Sequence, residues 1–529
     1  MYYAITILTL VVFGLSFLKQ ITVTWERLLL LLILGVASIH ALSFNTDAED
    51  AYIAYRYAQN FALGNGLVFN PDEHVEGYSD FIWVVLLGTL HKITSIDLPF
   101  LARWLSFLFT MLSIVYTYIL SKKITQGNQK LSLLVTLILA CSGSFIAYAL
   151  GGLETPLFSF LLLLLLHFLI NKKWMAVGVT LALATMTRPE GLAMCLPIFI
   201  AVVVDETTGV KHKIGALLHV FIGAMILLMP WTVWRIIYYG YLLPNPMAAK
   251  EGMDKAFQFQ FGLTYLKGHW LRVNIVLCVA LIGLTLMNLK KWRKIITLVS
   301  ILVLYSLVYL YIGGDWMPSY RFYSPFYPIM ALTLAMLLNN YWAYFKTVLQ
   351  TAIVAFAFQL GAIYMLIISY NDSYMIPAVQ LWSEQVKGLG EIGKWFNASL
   401  PKNTVVATFP NGAFSFYNEL YTIDVAGLTD EHIARRGLRF SQGMPGHIAH
   451  DEYYVLGRNP DIIAVMYGQG FESGVSKFVP EPYTQQYVAV SFQFLEGTNK
   501  YGNYVNLLIN KNRAQELIPL LAKQNIIPL

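Results

Sequence analysis

Apolar residues run almost unbroken over 4–18, 28–44, 81–90, 98–120, 131–150, 155–170, 174–187, 191–204, 214–237, 273–289, 295–312, 323–338 and 347–370. A helix crossing a bilayer takes roughly 20 such residues, so the pattern predicts a polytopic α-helical membrane protein. The first run has no Lys or Arg before it and no small-residue cleavage site after it, and reads as a retained span. Near residue 371 the pattern changes. Thr404–Phe409, Tyr421–Val425, Asp461–Met466, Tyr487–Phe494 and Tyr504–Ile509 read as short strands, and 376–398 and 512–525 as helices. Strands alternating with helices predict a small α/β domain. The expected domains are therefore a membrane module, 1–370, whose outer loop 45–97 holds surface helices, and an extracytoplasmic domain, 371–529.

Composition sharpens this. With 57% hydrophobic and 12% charged residues, the chain lies far from the roughly 25% charged composition of soluble domains. A cytosolic enzyme, a disordered tail protein and a nucleic-acid binder are excluded. Charge position then decides the ambiguous run at 81–90. If that run lies along the surface, the loops with Lys19, Arg27, Lys122, Lys123, Lys130, Lys172, Lys173, Lys211, Lys213, Lys290 to Lys294 and Lys346 share one side. Those loops hold fourteen Lys/Arg against three acids, and the opposite face of the first 370 residues holds ten against thirteen. Basic loops stay cytoplasmic, which gives about twelve spans and puts the C-terminal domain outside. Cys141, Cys195 and Cys278 all lie in apolar stretches, so no disulfide framework is implied.

The outer loops carry the mixed acids, Arg, His, Asn and aromatics. Asn45–Asp80 is the richest segment, with Asp47, Glu49 and Asp50 directly after an apolar span. Three acids so close repel one another and suit a general base or a divalent cation site; an N-terminal helix cap is the alternative. Tyr52, Tyr55, Arg56 and Tyr57 follow, suited to a sugar or phosphate, or to interfacial anchoring. Glu76, Tyr78 and Asp80 then form a candidate cleft wall. Glu154 precedes a helix and reads first as a cap. Arg188 needs an anionic partner, either Glu190 or a bound phosphate. Asn245 and Lys250 sit in a longer loop, and Asp315, Trp316 and Arg321 converge within a few residues. Asp430 reads first as a helix cap and His432 follows it; Arg435 and Arg436 suit solvated surface charges.

In order along the chain, EDAYIAYRYAQNFALGNGLVFNP with EGYSDFIW, GGLET, TRPEG, LLPNPMAAK, GGDWMPSYRF and DVAGLTDEHIAR resemble the GT-C superfamily of membrane glycosyltransferases. The segments are most similar to the AftB-like terminal β-1,2-arabinofuranosyltransferases. The resemblance spans roughly 45–436. It implies a polyprenyl-phosphate sugar donor, an extracytoplasmic active site in a bacterial inner membrane, and an acidic base from the first outer loop. Glu49 and Asp50 stand where the family tends to show paired aspartates, and Asp50 takes the greater weight. Pro246 stands where the family pattern leads to Thr, which weakens Asn245 as a sugar contact. Phosphate leaves readily and needs cations, whereas the acceptor hydroxyl needs a carboxylate. The expected roles are then Asp50, with Glu49 nearby, as the base that accepts the acceptor proton, and Arg56, Arg188, Arg321, Lys250 and His432 toward the phosphate. Tyr55, Glu76, Tyr78, Glu154, Glu190, Asn245, Asp315, Trp316 and Asp430 are expected toward sugar or acceptor. The acceptor is a glycan, lipid or protein. No obligatory metal is expected, with a divalent cation kept open by the acidic cluster. The competing readings are transfer of another sugar, a lipid-linked sugar flippase or transporter, and a non-catalytic outer-face receptor with a sugar-binding domain; spans nearly free of charge favour an enzyme over a transporter.

Overall fold

A computed structural model describes residues 1–16, 22–287, 292–342, 348–441, 447–465, 483–494, 504–523 and 526–528. Lys19, Lys290, Lys291 and Lys346 of the basic loops, run ends at 17–18, 288–289 and 347, Met466, and residues 524–525 lie outside these. The chain divides into two compact units: Met1–Thr46 with Ala102–Val233 and Ala256–Gln380, and Asp47–Leu101 with Trp234–Lys255 and Leu381–Leu529. This corrects the expected boundary near 371. The loop after the second helix joins the C-terminal sheet, because its buried polar side chains find their partners there.

The first unit is helical. Thr24–Phe44, Leu98–Ile124, Val210–Tyr239, Ile295–Ile312 and Pro318–Tyr341 are long and apolar enough to cross a membrane. Seven further apolar helices among the described residues are shorter, at 10–17 residues. The sequence runs promise more because they pass through breaks. The run at 131–150 stops at Cys141, where Ser142 is extended, and resumes as a short helix at Gly143–Ile146. Pro189 opens a 3-10 segment, Pro189–Met194, ahead of the helix Cys195–Val204. Buried hydroxyls in these helices close on their own backbone: Thr110, Thr117, Thr136 and Thr333 each donate to the carbonyl four residues back. That keeps polar groups satisfied where no water reaches them.

The second unit is built on a mixed sheet of six strands. Its strands are β1 (Val405–Phe409), β2 (Tyr421–Asp424), β5 (Ile462–Val465), β6 (Tyr487–Phe494), β7 (Tyr504–Asn510) and β8 (Ile526–Pro528), ordered β2-β1-β5-β7-β6-β8. A small separate pair holds β3 (Leu438–Arg439) and β4 (Ala449–His450). β2, β1 and β5 run parallel, with Val406 opposite both Thr422 and Ile462, and the remaining pairings are antiparallel. Ala407, Ile423 and Ile463 form the buried centre. The five expected strands all appear. Helix Glu49–Leu63 ends at Gly64 in the left-handed region (φ 89°) and packs along Phe81–Thr94. The latter has 14 residues, about 21 Å by the helical rise and short of a ~30 Å hydrocarbon core. Gly88 permits the contact, since a Cβ there would lie 2.7 Å from the Phe61 ring and 2.8 Å from the Ala58 carbonyl.

Candidate active site

In the second unit, the first turn of helix Glu49–Leu63 meets the carboxyl ends of β1 and β2, the edge where open α/β sheets hold ligands. The buried Glu49 carboxylate accepts the Gly412 N–H just beyond β1. A Cβ on Gly412 would lie 2.2 Å from the Glu49 carbonyl oxygen, so only glycine admits this approach. Asp424 ends β2, and its carboxylate takes the N–H groups of Ala426 and Thr429. Burial, the neighbouring Asp50 and, more weakly, Asp424 push the Glu49 carboxyl up to about 8, against the pull of the Gly412 N–H. Burial likewise lifts Asp424 to about 6, its two N–H donors opposing the rise. Burial thus favours the protonated form of Glu49. Asp50 sits beside it, half-buried. Asp47 is not the cap, because Ala48 holds that position; its carboxylate instead accepts the Tyr52 hydroxyl at 3.1 and 3.2 Å.

Several expected ligand contacts are consumed internally. All five N–H groups of buried Arg56 are spent. Nε donates to the Phe69 carbonyl, Nη1 to the Ser415 carbonyl and Thr422 Oγ1, and Nη2 to Asn70 Oδ1 and the Leu420 carbonyl. Nothing is left for a phosphate, so Arg56 is a staple between the loop and the sheet. Tyr55 is buried against Tyr52 and Phe416. Glu76 pairs with Arg235 at 2.5 Å; burial pushes it up to about 7 while Arg235 pulls the other way. The Tyr78 hydroxyl meets that of Tyr239 at 3.1 Å. Asn245 Nδ2 donates to the carbonyls of Gly427, Leu428 and Asp430, and Asn245 Oδ1 is buried without a partner. The void lined by Glu76 and Asn245 is only about 10 Å³, room for one water and not a sugar. Asp430 caps helix Glu431–Arg436 through the Ile433 N–H and binds Arg458 at 3.2 Å. His432 is stacked on Tyr454 and 3.0 Å from Asp451. Lys250 is exposed at the end of Asn245–Ala249.

In the first unit, the turns around Arg188 and Arg321 gather five charges. Arg188 Nε meets Glu190 at 2.6 Å and Nη1 meets Glu154 at 2.5 Å. The sequence offered Glu190 as the partner; Glu154 joins it and does not cap its own helix. Burial pulls the Arg188 guanidinium down, but Glu190 and Glu154 more than offset this and hold it firmly protonated. Among the described residues no hydrogen bond occupies its Nη2. Arg321 grips Asp315 in a two-pronged pair, Nε to Oδ2 at 2.8 Å and Nη2 to Oδ1 at 3.1 Å. Both guanidinium groups lie 5.4 Å from the Phe322 ring centre. Trp316 is half-buried beside Asp315. Among the described residues no three His, Cys, Asp or Glu side chains gather as a metal site.

Arg235, Asp424, Gly412 and Arg458 were not singled out from sequence. Arg235 had a signal, being a charge inside an apolar run, where it must find an anion. Arg458 had none: it reaches Glu73 and Asp430, far away in sequence.

This architecture is the GT-C fold of membrane glycosyltransferases, joined to a C-terminal sheet-containing domain. The solved structures similar to it include ArnT from Cupriavidus metallidurans bound to undecaprenyl phosphate, with TM-score 0.58, 11% identity, and 90% of this chain and 97% of that one covered. Apo ArnT gives 0.56 at the same identity and coverage. The Archaeoglobus fulgidus oligosaccharyltransferase with Zn and sulfate gives 0.52 at 11% identity, covering 89% of this chain and 73% of that one. By sequence, the family described as dolichyl-phosphate-mannose-protein mannosyltransferase matches residues 84–234, and a domain of unknown function matches 378–508. No curated protein matches the chain.

Proposed function

We propose that the protein is an inverting glycosyltransferase that moves a sugar from a polyprenyl-phosphate donor to a glycan, lipid or protein acceptor. The observation that carries this is the likeness to ArnT bound to undecaprenyl phosphate, along nearly the full length of both chains. The mannosyltransferase match over 84–234 supports the same class. The AftB-like sequence segments make arabinofuranose the first donor to test. The loop charge asymmetry favours a bacterial inner membrane with the reaction on the periplasmic face.

The chemistry asks for one base and a cationic hold on the departing phosphate. In the second unit, Asp50 is the base, and Glu49, kept neutral by burial, stands beside it. In the first unit, Arg188 and Arg321 are the cations for phosphate; the unoccupied Arg188 Nη2 supplies two donors of suitable geometry. One base and a good leaving group give direct displacement with inversion. The reaction needs no obligatory metal, so activity should survive chelation.

The test is incubation of the purified protein with radiolabelled polyprenyl-phosphate sugars, pentofuranose and hexose donors in parallel. Transfer from any of them, lost in Asp50→Asn with donor binding retained, is the expected result. Full transfer by Asp50→Asn would remove Asp50 as the base. No transfer from any donor, with transbilayer movement of the lipid instead, would favour a flippase.

A further inference from the structure

The first unit also holds a cleft that takes no part in the transfer chemistry above. Helix Trp174–Thr187 leads to Arg188 at its carboxyl end; the cleft opens beside Trp174, at the other end. Its volume is about 390 Å³, within the 300–1,000 Å³ typical of small-ligand sites. Lys172, Lys211 and Lys213 line it with a single carboxylate, Asp205. Asp205 is already engaged, 2.5 Å from Lys172 Nζ and accepting the Thr207 N–H and hydroxyl. Lys213 gives one of its three N–H bonds to the Val203 carbonyl. Lys211 has no ion pair or hydrogen bond among the described residues. Among the described residues, two of the lysines lining the cleft thus have no carboxylate partner.

Glycines shape the space. A Cβ on Gly178 would lie 2.1 Å from the Val220 carbonyl oxygen, and one on Gly223 would lie 2.4 Å from that of Met175. Helices Trp174–Thr187 and Val210–Tyr239 therefore touch backbone to backbone. One turn or so earlier, Gly215 lines the cleft, and a Cβ there would meet nothing within 4 Å. The same helix exposes Ile214, Leu218, Phe221 and Ile222, an apolar stripe adjoining the lysines at helical spacing. Trp174 suits the border between headgroups and acyl chains.

We infer that this cleft binds the headgroup of an anionic phospholipid, with Lys211 and Lys213 on the phosphate and the acyl chains along the apolar stripe. Basic pockets between membrane helices hold such headgroups. A free phosphate would use the same lysines but not the stripe, and this separates the two sources.

The experiment uses the full-length protein in nanodiscs of phosphatidylcholine with graded phosphatidylglycerol, with retained lipid read by native mass spectrometry. Wild type should retain phosphatidylglycerol over phosphatidylcholine. Lys211→Gln with Lys213→Gln should weaken that retention about tenfold. Gly215→Leu, which fills the cleft and leaves every charge in place, should do the same. Unchanged retention in both variants would overturn the site. Release of phosphatidylglycerol by millimolar inorganic phosphate would overturn the lipid assignment in favour of a free anion.

Discussion

The five N–H groups of Arg56 end on five oxygens of its own unit, whereas among the described residues Arg188 Nη2 has no hydrogen bond. The two arginines therefore have different expected phenotypes. Arg56→Ala strands buried carbonyls, and should cost about 3 kcal/mol or more of stability, measured by chemical denaturation. Arg188→Lys keeps the charge but loses the fork. It should fold normally and bind donor lipid about tenfold to a hundredfold more weakly, measured by titration. Glu49 makes a third case. Its carboxyl sits near 8 against an ordinary 4.5, so the folded state holds a proton that the unfolded chain gives up. The stabilising effect is fully present below about 4.5 and is lost as pH rises through 8. Thermal unfolding followed by tryptophan fluorescence should show stability falling across that window, with Glu49→Gln flattening the slope. Residue types and spacing made Glu49, Asp50 and Arg188 stand out in the sequence as candidates. What each side chain is paired with was not, because partners such as Ser415 and Leu420 lie more than 350 positions from Arg56.

Elements were easier to read than their limits. Short apolar stretches between turn residues marked β1, β2, β5, β6 and β7, and β1 and β2 are buried through their centres rather than alternating. The run at 131–150 reads too long, because Ser142 interrupts the backbone without interrupting hydrophobicity. Short helices such as Glu452–Gly457 and the edge strand β8 carry too few residues for a pattern. The pairing of Glu49–Leu63 with Phe81–Thr94 depends on a position that no periodicity flags. Gly88→Leu must push the two helices apart, and overpacking of this kind costs about 1–3 kcal/mol. Denaturant midpoints should fall for Gly88→Leu and much less for Gly64→Asn, which retains a left-handed turn residue where a side chain meets open space.

At the scale of the whole chain, the second unit is assembled from three separated stretches, 47–101, 234–255 and 381–529. Expressed alone, residues 371–529 should be protease-sensitive and weakly structured by circular dichroism. They would lack the Glu49 carboxyl on Gly412, the Arg56 guanidinium on Ser415 and Leu420, and the Asn70 amide on Thr422. Supplying 47–101 and 234–255 on the same polypeptide should restore resistance. The Arg56 staple also sets an order of events during synthesis. The ribosome delivers its guanidinium more than 350 residues before the Ser415 and Leu420 carbonyls it serves, so the early loop must wait, solvated, while most of the helices are inserted. A nascent chain that stalls before residue 415 displays an unanchored segment rich in tyrosine and acid, which distinguishes a finished molecule from an aborted one.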